Sequence, residues 1–324
     1  MFRTELSVPP SERKINLKNQ VFSIGSCFAV HIGEQLQKFK FQTLTNPFGT
    51  IFNPISIFDL IEISLKDRSF PGWTFVENQG VHRNYLLHSA ISSPNKDQFM
   101  KMVESRKKEV SDFLKRTDVI LLTFGTAIVY ELKTNQQVVA NCHKVPANQF
   151  EKQFLSVDEI VQGFGEIYSK LTSLNKNLRF ILTVSPVRHL KETLQLNGVS
   201  KSILRVAAHQ LQEEFDNVEY FPSYELIMDD LRDYRFFKED MLHPNDQAIQ
   251  YVWDKFSQAY FDEETMGFLK EWEKIINALD HKPFYPGSVE HQKFIAITLG
   301  KINKFKNTID VSYEIERLNQ QLDD

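Results

Sequence analysis

Val21-Phe22-Ser23-Ile24-Gly25-Ser26-Cys27-Phe28-Ala29 reads as a short buried strand, a tight turn and the start of a helix. Val21, Phe22 and Ile24 are strand-type residues, and Gly25 breaks the run. Beyond it Phe28, Ile32, Leu36 and Phe39 recur at spacings of four, four and three, which predicts a helix with one buried face. A hydroxyl and a thiol therefore stand side by side where a strand gives way to a helix. Backbone N–H groups at a helix N-terminus are unpaired and carry partial positive charge, so they can lower a thiol's pKa and hold an oxyanion. Nucleophilic chemistry uses such a place, although a small-residue turn around a buried cysteine uses the same residue types.

The pattern returns along the chain. Asp118-Val119-Ile120-Leu121-Leu122-Thr123-Phe124-Gly125-Thr126-Ala127 is the clearest strand, again ending in glycine plus a hydroxyl, and Phe180-Ile181-Leu182-Thr183-Val184 runs into Ser185-Pro186-Val187-Arg188-His189. A shorter strand is expected at residues 218–221. Helices are expected at 54–65, 95–116, about 200–215 and through Trp253 to Tyr260, and Ser156-Val157-Asp158-Glu159 looks like a capping box for one reaching about Leu174. Residues 67–93 suggest a short antiparallel excursion, and 128–148 contain the polar loop Asn141-Cys142-His143-Lys144-Val145-Pro146. Alternating helices and continuous apolar strands predict an α/β fold, a parallel sheet with helices on both faces. Ligands of such sheets bind at the carboxyl ends of the strands. Ser26/Cys27, Thr123/Thr126 and Ser185/Arg188/His189 are therefore expected to converge. Residues 1–20 read as an extended lead-in, with Pro9-Pro10 preventing a helix. Residues 263–324 have a helical pattern broken at Pro283 and Pro286, which predicts a C-terminal helical extension after an α/β domain spanning 1–262.

The 324 residues are 42% hydrophobic and 25% charged, as in a soluble globular protein. A net charge of −4 gives no electrostatic case for nucleic acid or an anionic membrane. The 27 phenylalanines predict a large aromatic core. With Cys27 and Cys142 as its two cysteines, the chain does not read as a disulfide scaffold, and a reducing cytoplasm is expected. Residues 1–18 lack an apolar signal core, and no stretch approaches the ~20 apolar residues of a membrane span.

Nucleophilic catalysis also needs a base and a group that orients it. His243 lies three residues after Asp240, a spacing at which the aspartate can reach its own histidine's ring N–H. Asp240 would equally serve as a helix cap. Arg188 can hold an anionic substrate group with His189 hydrogen-bonded to it, and His143 beside Cys142 is a further polar candidate; strand-end arginines also serve as loop anchors, and the cysteine–histidine pair lacks metal-ligand spacing.

Taken in order, the Gly25–Ser26–Cys27 turn, Gly49, Phe124-Gly125-Thr126-Ala127 and the Asp240–His243 pair resemble the SGNH, or GDSL-type, hydrolase superfamily. The closer resemblance is to the GSCFA family, whose name is the string standing here as Gly25 to Ala29; the stretches at 141–144, 183–189 and 243–245 are similar to that family too. The resemblance covers roughly residues 15–260. It implies a three-layer flavodoxin-like fold and metal- and cofactor-free acyl-ester hydrolysis or acyl transfer through a covalent acyl-enzyme, on a small or carbohydrate-linked acyl group. A weakly catalytic or purely ligand-binding version of the site is the alternative. The superfamily's nucleophile position falls on Cys27, with Ser26 as the competitor after a one-residue shift. Its oxyanion glycine falls on Gly49. Its oxyanion asparagine does not carry over, because Ala127 stands there, which leaves Thr126 or Asn46 to compensate.

Overall fold

The computed structural model describes residues 4–66 and 68–323; the expectation of an extended lead-in falls partly on residues 1–3, outside the described residues. The chain forms β1 (Gln20–Gly25), α1 (Cys27–Lys38), β2 (Gln42–Thr45), α2 (Pro54–Leu65), the antiparallel pair β3 (Phe75–Asn78) and β4 (Val81–Asn84), α3 (Lys96–Leu114) and β5 (Val119–Phe124). A second antiparallel sheet follows from β6 (Ile128–Leu132), β7 (Gln137–Val139) and β8 (Phe150–Phe154), ordered β7-β6-β8. Next come α4 (Val157–Leu174), β9 (Arg179–Val184), α5 (Leu194–Glu214), β10 (Val218–Tyr220), a short α6 (Ser223–Glu225) running into a π-helical turn at Leu226–Leu231, and α7 (Asp246–Tyr260). The C-terminal region is α8 (Glu263–Leu279), α9 (Val289–Ile302) and α10 (Ser312–Asp323).

Local chemistry sets several of these boundaries. Pro54 occupies the first turn of α2, where its missing N–H costs nothing, and the Asn53 side chain accepts from the Ser56 N–H. Ser156 and Glu159 form the reciprocal capping box at the start of α4. α5 begins at Leu194, earlier than its apolar pattern suggests, because the Thr193 side chain caps a first turn whose Leu194 and Leu196 are exposed.

The main sheet is wholly parallel, ordered β10-β9-β5-β1-β2. Counting its strands in chain order gives 2-1-3-4-5, the flavodoxin-like arrangement, with the order reversing between β1 and β5. Alternation along the strands divides the core between two faces. Phe22, Ile24, Ile120, Leu122, Phe180 and Leu182 pack beneath α2–α5. Val21, Val119, Leu121 and Ile181 belong to the other face, with α1 and α7. The C-terminal helices join this second core through Phe268, Trp272, Ile295, Ile302 and Leu318. Trp272 donates its indole N–H to the Lys38 carbonyl at the end of α1 (3.1 Å), and Lys40 pairs with Glu314 at 2.7 Å. Among the described residues no helix is long and apolar enough to cross a membrane.

Candidate functional site

The strand-order reversal places the end of β1 beside the end of β5. Gly25 makes this close approach possible. Its φ is +147°, and a Cβ added there would land inside the Thr123 peptide. Its N–H donates to Asn46 Oδ1 at 2.8 Å, and the next N–H, from Ser26, donates to the Thr123 carbonyl at 3.1 Å. The turn is thus fixed from β2 on one side and β5 on the other.

Ser26 is the N-cap of α1, yet its hydroxyl makes no capping bond. The residue is 1% exposed, and its Oγ is buried without a hydrogen-bond partner. Cys27, the first residue of the helix, is partly exposed. Burial pushes its thiol pKa up, while its own backbone N–H and the charge of Lys201 pull it back. The helix start alone therefore does not give the depressed thiol that its position suggests: loss of hydration outweighs the N–H contribution.

Lys201 is the site residue that sequence reading passed over. It is 2% exposed on α5, and its ammonium donates to the carbonyls of Gly125 (2.6 Å) and Ser185 (2.7 Å), just beyond β5 and β9. Burial lowers its pKa to about 7, with Cys27 acting in the opposite direction. The signal was present. Asn197, Ser200, Lys201, Leu204, Ala207, Ala208 and Leu211 form the buried stripe of α5, and a lysine within such a stripe cannot be solvated.

His189 and His243 extend the cluster. The His189 N–H donates to Asn197 Oδ1 at 2.9 Å, its ring stands edge-on to Phe52 with centroids 5.2 Å apart, and its Nε2 is buried without a partner. Burial, reinforced by Lys201 and His243, lowers its pKa to about 4. His31, one helical turn beyond Cys27, is lowered chiefly by burial, and both Lys238 and His243 add to that. His243 thus sits within electrostatic reach of His189 on one side and of the α1 start on the other. Its Nδ1 lies 2.6 Å from Asp240 Oδ2, while Asp240 Oδ1 accepts from the backbone N–H groups of Leu242 (2.8 Å) and His243 (2.9 Å). Those backbone bonds and then the ring hold the carboxyl down at about 2, so it is ionised across the working range. An ionised carboxylate accepts the Nδ1 proton and leaves His243 Nε2 as the free basic atom. The cap of α7 is Asn245, not Asp240.

His189 carries a pH signature. The unfolded chain binds its proton below about 6.5 and the folded chain only below about 4, so stability contributed by the neutral ring is present above pH 6.5 and is lost as pH falls towards 4. The slope is about 1.4 kcal/mol per pH unit for one proton. Urea unfolding of the wild type should show this loss between pH 6.5 and 4, and His189→Gln should flatten it. Parallel pH profiles for the two proteins would exclude His189 as its source.

The remaining candidates have other partners. The Gly49 N–H closes a turn onto the Asn46 carbonyl at 2.8 Å, so Gly49 is not the free oxyanion donor expected of it. Thr126 Oγ1 accepts from the Ile128 N–H and shares a 3.0 Å bond with Ser200 Oγ, and its own N–H goes to the Phe52 carbonyl. Its hydroxyl is bound into a loop rather than set aside for a ligand. Asn46 retains an unpartnered, buried Nδ2 beside the turn that its Oδ1 holds. Arg188 donates to the Met241 carbonyl at 3.1 Å and lies over the Phe237 ring, 4.7 Å from its centroid. It therefore anchors the loop carrying Asp240 and His243 rather than offering a free cation. His143, 3% exposed, has both ring nitrogens engaged: Nε2 with the Asn84 carbonyl at 2.7 Å and Nδ1 with Ser89 Oγ at 3.2 Å. The carbonyl can only accept, so Nε2 carries the proton and the ring pins β4 to the 141–145 loop. His143 is thus committed to packing and not to substrate. Among the described residues no group of three or more His, Cys, Asp or Glu is gathered as a metal would need.

A family model described as GSCFA family matches residues 20–256, and one described as GSCFA domain protein, C-terminal domain, matches residues 272–324. No curated protein matches the chain.

Proposed function

The chain belongs to the GSCFA family, and on that premise we propose that it transfers an acyl group, as an acyl-ester hydrolase or acyltransferase of the SGNH type, through a thioester on Cys27. The observation that carries this reading is the Asp240–His243 pair. An ionised carboxylate fixes Nδ1 and frees Nε2 of a histidine within electrostatic reach of His31 on α1 and of His189 after β9. Cys27 is the nucleophile rather than Ser26, because the serine Oγ is sealed and the cysteine is partly exposed. His243 takes the Cys27 thiol proton, the thiolate attacks the ester carbonyl and a tetrahedral intermediate forms, and the imidazolium then protonates the departing alkoxide. The neutral ring next takes a proton from the water or alcohol that attacks the thioester and returns it to the Cys27 sulfur as the C–S bond breaks. The substrate is a small or carbohydrate-linked acyl ester.

With p-nitrophenyl acetate, the expected result is a burst of nitrophenolate with a mass increase of one acetyl group on Cys27, absent in Cys27→Ala. Acetylation elsewhere, or none at all, would remove the proposal.

A second reading, a site that binds its ligand with little turnover, is favoured by one observation. Of the candidate oxyanion donors, Gly49 and Thr126 are engaged within the protein, and Asn46 Nδ2, the alternative to Thr126, is unspent but buried. Loss of one such donor costs roughly 10²–10³ in rate. Under this reading Cys27 acetylates without deacylating.

A further inference from the structure

A cavity of about 230 Å³ lies beyond the carboxyl ends of β9 and β10, with Arg188, Met228, Arg232, Tyr234 and Phe237 among its walls. It adjoins the loop of the Asp240–His243 pair at two points. Arg188 Nη1 donates to the Met241 carbonyl at 3.1 Å, and Phe237 forms a β-bridge with Pro244, the residue after His243. This tether fixes Arg188 without neutralising it. It uses one of five guanidinium N–H groups, and Nη2 meets only the Met228 sulfur, at 3.8 Å. Aromatic rings hold the group in place, with Cζ 4.7 Å from the Phe237 centroid and 5.4 Å from that of Tyr234. Arg232 takes a left-handed backbone (φ +40°) at the end of the π-helical turn, where a glycine would sit without penalty. Among the described residues Arg179, Arg205, Arg235 and Arg317 form ion pairs with carboxylates, whereas Arg188 and Arg232 do not. The acid in the cavity wall, Asp233, is spent on Arg235: its Oδ2 lies 3.3 Å from Nε, and its Oδ1 accepts the Arg235 N–H at 2.9 Å.

We propose that this cavity holds an anionic group of the substrate, a carboxylate or a phosphate, at a set distance from the reacting carbonyl. The inference rests on the acyl-transfer reading of the site and narrows its substrate class. Guanidinium groups present planar N–H forks that match either oxyanion. Met228 and Phe237 add apolar surface, which weakens the screening of the charge. The sheet sets the distance. Cys27 follows β1, Arg188 follows β9, and β5 lies between these strands, so the two stations stand two strand spacings apart, about 10 Å. A chain of about six methylene groups covers that length. Because Arg188 also holds the Met241 carbonyl, the station for the anion and the loop carrying His243 share one mount.

The test compares p-nitrophenyl esters of one chain length, about six methylenes beyond the carbonyl, that end in a methyl, a carboxylate or a phosphate. In the wild type, kcat/KM for one of the charged esters should exceed that for the neutral ester by about tenfold or more, the effect of one charge-assisted contact. The preferred ester identifies the oxyanion, and high salt should shrink the preference. Arg188→Gln and Arg232→Gln should each bring the ratio of charged to neutral ester towards one. The ratio is the readout because Arg188→Gln, although it keeps an N–H for the Met241 carbonyl, can loosen the His243 loop and slow every ester alike. A merely structural arginine would lower all the rates and leave the ratio unchanged. Equal wild-type rates for charged and neutral esters, or a preference that survives both substitutions, overturn the proposal. If no ester is turned over, the acyl-transfer reading falls and binding decides the site. The Arg188 Nε–H signal in the wild-type NMR spectrum should then shift on titration with suberate or with inorganic phosphate. A signal unmoved by both overturns the anion site as well.

Discussion

His243→Ala should reduce turnover of p-nitrophenyl acetate by roughly 10²–10⁴-fold, the range spanned by a positioned general acid–base, with circular dichroism unchanged. The fold should tolerate the change because the loop is held mainly through the backbone. Asp240 Oδ1 takes the N–H groups of Leu242 and His243, the His243 carbonyl accepts from the Lys238 N–H, and Arg188 clamps the Met241 carbonyl. Asp240→Asn separates the two duties of the aspartate. Its Oδ1 can still accept both backbone donors, but an NH₂ facing the ring cannot accept the Nδ1 proton. The ring would have to turn over to the tautomer with its proton on Nε2, which is useless as a base. Turnover should fall while substrate binding persists. Wild-type turnover in either variant would take the pair out of the mechanism.

Gly25→Ala should destabilise the protein by on the order of 4 kcal/mol. Backbone strain at positive φ contributes roughly 1–3 kcal/mol, and forcing a methyl into packed structure roughly as much again. The obstacle is the backbone of Thr123, which pairs with Gly25 in the sheet and cannot swing aside like a side chain. Relief would require β1 to part from β5, which disrupts the Ser26 N–H bond to Thr123 and the Gly25 N–H bond to Asn46. Gly198→Ala and Gly267→Ala are the matched controls. Both glycines lie inside helices, and an added Cβ there meets nothing within 4 Å. They should be neutral or stabilising by up to about 1 kcal/mol. A Gly25→Ala protein with the wild-type urea midpoint would show that β1 and β5 are not held this close.

What could be read from the sequence followed from chemistry confined to neighbouring residues. The runs at 21–24, 119–124 and 180–184 are buried throughout and apolar but for Ser23, Thr123 and Thr183, because both faces of these strands are covered, and no surface helix requires that pattern. Pro54 and the Ser156/Glu159 box announce their helices within four residues. β2 stayed hidden because Gln42-Thr43-Leu44-Thr45 lies at a sheet edge, only part-buried, and carries one large apolar side chain. β6 to β8 were hidden for a similar reason, since Glu151, Lys152 and Gln153 face solvent. Within the candidate site, Asp240–His243 was legible because its geometry is local. The commitments of Thr126 to Ser200 and of His143 to Asn84 were not, because those partners lie 74 and 59 residues away. Lys201 was visible as a lysine on an apolar stripe, but what it faces depends on the joining of three strand ends, which no local pattern encodes.

The packing of α1 against the C-terminal helices has a consequence for how the chain is made. Trp272 reaches the Lys38 carbonyl across 234 residues of sequence, and Lys40 reaches Glu314 across 274. At a synthesis rate of about 5–20 residues per second, the first of these partners leaves the ribosome roughly 10–50 s after the helix it covers. During that interval the α1 residues facing the second core, Phe28, Ile32 and Leu36, lack the surface that finally buries them. β1 likewise has one edge open until β5 emerges about a hundred residues later. The nascent chain therefore carries an incompletely covered apolar helix through most of its translation, and an open strand edge until β5 is made. A chaperone that engages short apolar stretches would find its ground on these N-terminal segments, and a ribosome stalled before residue 263 would present a chain whose chemistry-bearing turn exists but whose supporting helix is still half-clothed.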